Sequence, residues 1–401
     1  MVRCGSIFSQ MLSLVDRREF GYAVARRKAE RYAKGYGCWE QFVAMTFCQL
    51  AQAHSLREIC GGLSCCTGKV VHLGMGEAPR RTTLAYANEH RPWELYQDVF
   101  GQLLARCRGL TKGKRKFRFK NKLYSLDATV IDLCLRMFPW AKFLQTKGAV
   151  KLHLLLDHEG YLPDFAHLTE GNVHEVRIAR MLSFAPGSII VMDKGYVDYR
   201  LFGRWTEEGV FFVTRQKKNA DYRVVKRTPP AKEKGVLADQ VIRLRGPGAA
   251  EKCPHFLRRV VVWDEKNRKR LVLLTNQMEF SAATIAAIYK ERWQIEIFFK
   301  ALKQNLKVKT FVGTSPNALK TQIWTALIAI LMLKYLQFKS TLSWALSNLV
   351  AFLRWNLFTY RDLWAWINDP FETPPVEPEP DQTAFSFAVI GQHNAVNEAR
   401  G

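Results

Sequence analysis

At Leu123 the hydrophobic pattern changes period, and that change limits the folds open to this chain. Before it, apolar residues recur at helical spacing. After it come short aliphatic runs bounded by turn signals. Residues 123–131, 150–156 and 161–168 read as strands, the last two joined by Asp157-His-Glu-Gly160 as a hairpin. A helix over 172–184 leads to Ser188-Ile-Ile-Val-Met192, a continuous apolar run after Gly187 of the kind a buried central strand shows. A helix over 200–208 and a strand over 210–214 follow. Three strands, helix, strand, helix, strand specify an α/β sheet covered by helices.

Residues 217–277 break this rhythm. They carry charge, Pro229-Pro230, Gly246-Pro-Gly248, and strand-like pieces at 222–226, 236–244, 256–263 and 270–274, so the segment reads as a β-rich insertion. One helix is expected after Ser281 and another after Ser315-Pro316, a good cap and first-turn pair. Upstream, residues 1–110 read as an all-helical domain. Asp16 can cap a helix over 17–33, and further apolar stripes run through Trp39, Phe42, Val43, Met45 and Leu50 and through Leu56, Ile59 and Leu63. The turn signal from Gly74 to Pro79 precedes a short helix led by Arg80 and Arg81, similar to the second half of a helix-turn-helix. The expected organisation is a helical domain at 1–110, a basic linker at 111–122, an α/β core at 123–313 that includes the insertion, helices at 314–368, and an acidic, proline-rich tail at 369–401 that reads as disordered.

Charge narrows the function classes. Lys and Arg number 60 against 36 Asp and Glu, a net charge of +24, which points to a polyanionic partner and first to nucleic acid. The densest basic run, 111–122, places Lys114, Arg115, Lys116 and Arg118 around Phe117 and Phe119, a pattern suited to a phosphate backbone. The longest uncharged apolar stretch, 321–333, is shorter than the 18 or so residues that span a bilayer. The N-terminal residues lack a secretory core and cleavage site. Nine scattered cysteines point to a reducing cytoplasm rather than a disulfide framework. Cys60, Cys65 and Cys66 near His54 and His72 lack the CxxC spacing of a zinc site. No GxSxG or HExxH is present, and the glycines before Lys69 are wrongly spaced for a phosphate loop.

The helix after Ser281 is the most informative segment. With Tyr289 at zero and ~100° per residue, Arg292 falls near about −60°, Glu296 near about −20° and Lys303 near about −40°. Ile288, Ile295, Phe299, Leu302 and Leu306 form an apolar stripe beside them. On its own this pattern equally fits an Arg292–Glu296 salt bridge on an ordinary amphipathic helix. Two more carboxylates shift the balance: Asp127 inside the first strand, and Asp193 at the end of the apolar strand, where α/β sheets place ligands. Three convergent acids repel one another and call for cations; their hard oxygens suit magnesium or manganese. Two such ions can activate an attacking oxygen and stabilise a leaving one on phosphorus.

Tyr289-x2-Arg292-x3-Glu296-x6-Lys303, with Asp193-Lys-Gly195-Tyr196 and Leu126-Asp-Ala-Thr129, resembles the signature of DDE transposases of the insertion-sequence-four family. The resemblance implies an RNase H-like core with a β-rich insertion before the helix that carries the glutamate. It implies that Asp127, Asp193 and Glu296 bind two Mg²⁺ or Mn²⁺, and that Tyr289, Arg292 and Lys303 hold phosphates of a transposon end. Trp293 matches an aromatic next to the arginine, placed for DNA contact or packing. Some relatives make a DNA hairpin and stack a flipped base on a tryptophan of the insertion. Between Lys217 and Pro254 this sequence has none, which leaves Trp263 or Tyr222 for that role. The implied activity is cut-and-paste transposition on double-stranded DNA by a homodimer bridging paired ends, in the bacterial cytoplasm and on the nucleoid when DNA-bound. A structure-selective nuclease and a catalytically silent DNA-binding remnant fit the same fold.

Overall fold

A computed structural model describes residues 5–375, apart from 32, 67, 112, 114, 115, 145, 146, 230–234 and 307–309. The expected tail is therefore described only to residue 375.

Six helices open the chain: α1 (Ile7–Leu12), α2 (Arg17–Arg27), α3 (Cys38–Leu50), α4 (Leu56–Ser64), α5 (Arg81–His90) and α6 (Glu94–Thr111). Asp16 caps α2 as expected, accepting from the Arg18 and Glu19 amides at 2.8 and 3.1 Å. The helix stops at Arg27, short of Ala33. Lys28 turns to φ 50°, and the Ala29 amide closes back on Val24 O, a left-handed C-cap.

The sheet follows: β1 (Leu123–Leu133), β2 (Lys142–Leu144), β3 (Lys147–Asp157), β4 (Leu162–Glu170), α7 (Glu175–Ala179), β5 (Ile189–Met192), α8 (Tyr199–Glu207) and β6 (Phe211–Arg215). In the core the strand order is β4-β3-β1-β5-β6; β3 is antiparallel to β1 and β4, while β1, β5 and β6 are parallel. Three antiparallel strands extended by two parallel ones through helical crossovers make the RNase H-like arrangement. β5 is buried on both faces. Ile190 and Met192 meet Leu201, Phe202 and Trp205 of α8, whereas Ile189 and Val191 face the opposite layer. The helix expected over 172–184 is only α7, because Arg204 of α8 donates to the Arg180 and Leu182 carbonyls and holds that stretch out of helical geometry.

The insertion is as expected β-rich: β7 (Tyr222–Thr228), β8 (Val236–Leu244), α9 (Pro247–Lys252), β9 (Leu257–Asp264) and β10 (Lys269–Thr275). β10 pairs antiparallel with β6, so the insertion continues the core sheet rather than forming a separate unit. The chain then returns across the sheet as α10 (Ala282–Glu291) and α11 (Trp293–Asn305). The sequence pattern reads as one continuous helix here; the two pieces instead meet at Arg292, where three-residue closures (Arg292 N–H to Tyr289 O, Ile295 N–H to Arg292 O) tighten the turn.

α12 (Pro316–Lys339), α13 (Leu346–Asn356) and α14 (Leu363–Trp366) close the chain. α12 is 24 residues long and apolar enough to cross a membrane, contrary to the expectation from residues 321–333, but 83% of its most apolar window is buried inside the protein. It packs on α3, α5 and α6, so residues 5–111, α11–α14 and the outer face of β1, β3 and β4 share one core. Gln10 ties the ends together: its Nε2 donates to Arg361 O at 2.6 Å and its Oε1 accepts from the Leu363 amide at 2.9 Å.

Candidate active site

β1 and β5 run parallel with Leu126 opposite Met192, so Asp127 and Asp193, the next residue on each, emerge from neighbouring strands at one level. Asp127 lies within β1, opposite Leu154 of β3. Asp193 lies just past β5 and caps a short 3₁₀ turn; its Oδ1 accepts from the Gly195 amide at 2.6 Å. A Cβ at Gly195 would lie 2.8 Å from Asp193 Oδ1, so any larger residue there would push that carboxylate from its place. Thr214 of β6 donates to the Asp193 carbonyl at 2.9 Å and fixes the turn from below.

Glu296 reaches the same place from the first turn of α11, through Arg292. One guanidinium nitrogen, Arg292 Nη1, donates to Asp127 Oδ2 at 2.9 Å and to Glu296 Oε1 at 3.2 Å. The salt bridge allowed by the helix alone is therefore present, but it is one arm of a bridge that also spans to the sheet. Burial pushes the Asp127 carboxyl up to about 7; the charges of Glu296 and Asp193 add to this, while the Ala128 amide and Arg292 oppose it. Burial disfavours the charge on Arg292, yet Asp127, Tyr289 and Glu296 together outweigh it and raise its pKa.

The remaining stripe residues also converge. Lys303 Nζ donates to the Val130 carbonyl of β1 at 2.8 Å. Tyr289 is buried; its hydroxyl is raised by burial, with Arg215 and Arg292 beside it to moderate the effect. Trp293 points outward, 61% exposed. With Trp263, Tyr289, Arg215, Lys266 and Lys290 it lines a cleft of about 920 Å³ that opens beside Arg292. Tyr222, the other stacking candidate, lies under the Arg259 guanidinium, 5.6 Å from its ring centre.

Among the described residues of the basic segment there is no strand. Phe117 and Phe119 are half-buried and stack at 4.9 Å, with Phe119 on Phe280 at 5.0 Å, while Lys116 and Arg118 point outward. Lys116 is paired with Glu291; Lys114 and Arg115 lie outside the described residues. Arg80 and Arg81 are exposed at the start of α5, on the N-terminal helical domain. Two residues beside the site were missed from sequence. Arg215 ends β6 as Asp193 ends β5, and a charge after a buried apolar run was the available signal. Glu291 falls opposite Tyr289, about 20° beyond Leu302 at the far edge of the apolar stripe, and the fold buries it.

Among the described residues no group of three or more His, Cys, Asp or Glu is gathered closely enough to hold a metal ion as it stands. The reason is visible: the Arg292 guanidinium occupies the space between Asp127 and Glu296. The donors nonetheless suit a hard divalent cation. They are carboxylate oxygens, one is half-buried with its pKa raised by desolvation and by mutual repulsion, and a cationic group already stands among them.

Residues 118–332 match the Transposase DDE domain, and residues 3–76 match a domain of unknown function, DUF4372. The chain is 33% identical to the transposase-named protein y4zB of Sinorhizobium fredii, over 77% of this chain and 87% of that one. It is 28% identical to a probable transposase for insertion sequence element IS5377 of Geobacillus stearothermophilus, over 64% of this chain and 67% of the relative. Transposase InsG for insertion sequence element IS4 of Escherichia coli is 24% identical over 38% of this chain and 35% of its own. Over half of the chain carries the domain, and the sheet order and the insertion agree with it: the chain belongs to the DDE transposases of insertion sequences.

Proposed function

We propose that this DNA transposase performs cut-and-paste transposition, with Asp127, Asp193 and Glu296 as its catalytic acids. The observation that carries the reading is that one guanidinium, Arg292, bridges Asp127 of the sheet and Glu296 of the helix, with Asp193 at the end of the strand beside Asp127. Membership of the DDE class implies dependence on divalent metal. The finer assignment is two ions, Mg²⁺ or Mn²⁺, held by Asp127, Asp193 and Glu296. When bound, such ions supply activation of the attacking oxygen and charge stabilisation at phosphorus.

The chain's own residues do the rest. Asp127, Asp193 and Glu296 would hold the ions as carboxylates. Arg292, which bridges Asp127 and Glu296, has a planar fork suited to bidentate contact with a phosphate of the cleaved strand. Tyr289 and Lys303 flank it for the same backbone. Trp263 and Trp293 line the adjoining cleft and offer stacking faces to bases near the cut. Hydrolysis at each transposon end frees a 3′-hydroxyl, and the same site directs that hydroxyl onto target DNA; both steps are in-line attacks at phosphorus. Lys114, Arg115, Lys116 and Arg118 add sequence-independent affinity, and the helical domain at 1–110, with Arg80 and Arg81, reads the inverted repeats. The protein acts as a homodimer across paired ends, in the bacterial cytoplasm and on the nucleoid.

The test is nicking and strand transfer of a labelled transposon end in magnesium, beside a gel shift on the same DNA. Glu296→Gln keeps the size and removes a charge, so cleavage should fall on the order of 10³-fold or more while binding survives. Normal cleavage by Glu296→Gln overturns the acid assignment. Cutting without joining by the native chain marks a nuclease, and binding without cutting marks a silent remnant.

A further inference from the structure

We infer that Glu291 is a positioning residue for Arg292, and that its ion pair with Lys116 couples the basic segment to the active site. The inference rests on the assignment of Arg292 and the three acids above. Glu291 is the last residue of α10, 5% exposed, and directly precedes the joint at which α10 and α11 meet. A buried carboxylate needs partners, and those of Glu291 come from two other parts of the fold. Lys116 of the basic segment donates to Oε1. Tyr161, at the tip of the β3–β4 hairpin, donates to Oε2 at 3.1 Å. His158 of the same hairpin lies 3.9 Å from Oε2. Its other nitrogen is 2.8 Å from the Ser125 hydroxyl, two residues before Asp127 on β1.

The consequence is a fixed frame. On one side of the 291–292 peptide, Glu291 is anchored to the hairpin and to the basic segment. On the other, Arg292 bridges Asp127 and Glu296. The direction in which Arg292 points depends on a joint with no regular helical closure of its own, so the anchor beside it sets that direction. Burial holds His158 far below the usual histidine range, at about 4, and leaves it neutral at pH 7. Lys116 is thus the charged partner of Glu291, and it belongs to a segment rich in bases. DNA phosphates that draw on this segment act on the same lysine that holds the joint.

Glu291→Gln in the full-length protein should lower the single-turnover nicking rate by about tenfold to a hundredfold, as small misplacements of reacting groups do, with end-DNA affinity within about twofold of native. Lys116→Ala should reproduce the rate loss. It is an exposed substitution, and so remains informative should Glu291→Gln fail to fold. The exchange Lys116→Glu with Glu291→Lys should recover much of the rate. A residue that only stabilises the fold would lower the melting temperature without that recovery. Native nicking rates for both Glu291→Gln and Lys116→Ala, with Glu296→Gln inactive, overturn this inference and leave the site assignment standing. Native rates for Glu296→Gln as well overturn the site assignment itself.

Discussion

α12 and the α10–α11 pair are the two long helical paths through the molecule, and they treat their side chains in opposite ways. α12 is apolar around its whole circumference and buries Thr321 through Leu333 without a break. α11 buries Ile295, Phe298, Phe299 and Leu302 along one stripe and turns Glu296, Ile297 and Trp293 outward. The first helix has no face left for chemistry and joins the N-terminal helices to the sheet. The second gives up part of its packing to carry charge at the edge of the core. Stability and reactivity are therefore drawn from different segments, as expected where a site needs charges that a core would exclude.

The sharpest way to break that division is a matched pair of substitutions. Asp127→Asn should reduce nicking on the order of 10³-fold or more while leaving cooperative unfolding in place. Leu327→Ala, at a fully buried α12 position, should cost about 2–5 kcal/mol of stability, yet leave the cleavage rate of the folded fraction unchanged well below its melting temperature. A Leu327→Ala protein that stays folded but cleaves slowly would show that α12 takes part in the chemistry.

Acid should act on the sheet side. His153 and His158 are both held down to about 4 by burial, His153 also by the neighbouring Lys151 charge. An unfolded histidine titrates near 6.5, so below that pH the unfolded chain takes up protons the folded chain refuses. The histidine contribution is full above about 6.5 and drains as pH falls towards 4, by on the order of 2–3 kcal/mol for each ring. Asp127, raised to about 7, works in the opposite sense, because the folded chain takes up that proton first. The share of one ring is therefore the difference between the native chain and His158→Gln in urea unfolding at pH 7.5 and 4.5: the variant should lose less stability on acidification by on the order of 2–3 kcal/mol, and an equal loss in both would mean that His158 charges without penalty.

Two smaller effects sharpen the picture at its margins. Neutralising Lys114, Arg115 and Arg118 should weaken binding to all duplex sequences alike, and lower the salt slope by about 0.9 for each phosphate the segment no longer neutralises. An unchanged slope leaves them as solubility charges. Smallest of all, removal of residues 376–401 should alter stability by no more than about 0.5 kcal/mol. The cut belongs there rather than at Asp369, because Phe371 packs edge-on to Phe352 and Arg361 donates to Thr373 O.

The sheet was legible because its strands announce themselves one at a time. The 236–244 segment is β8 to the residue, and the run before Asp193 is β5. The stripe of Tyr289, Arg292, Glu296 and Lys303 was legible for the same local reason. Three features escaped because their causes lie far away in sequence. Residues beyond Ala179 leave the helix because a guanidinium 24 residues later takes the Arg180 carbonyl. Glu291 borders the apolar stripe on a wheel, but the wheel cannot show the hairpin tip and the basic segment that supply the partners of its carboxylate. Arg292 looked like half of a helix-surface pair because its second partner, Asp127, is 165 residues upstream.

The clasp made by Gln10 has a consequence for biosynthesis. It joins residues 351 positions apart, and the Ile7 and Phe8 amides likewise close on Thr359 and Leu357. At roughly 5–20 residues per second, a ribosome spends on the order of 20–70 s between presenting α1 and presenting the stretch of chain that secures it. During that interval the apolar faces of α1 and α3 lack the C-terminal helices they will finally pack against. A message cut short before the codon for Leu357 would thus release a protein whose first helix keeps its contacts with Phe47 and His72 but lacks the backbone partners that complete its docking, so the far end of the reading frame bears on the fate of the near one.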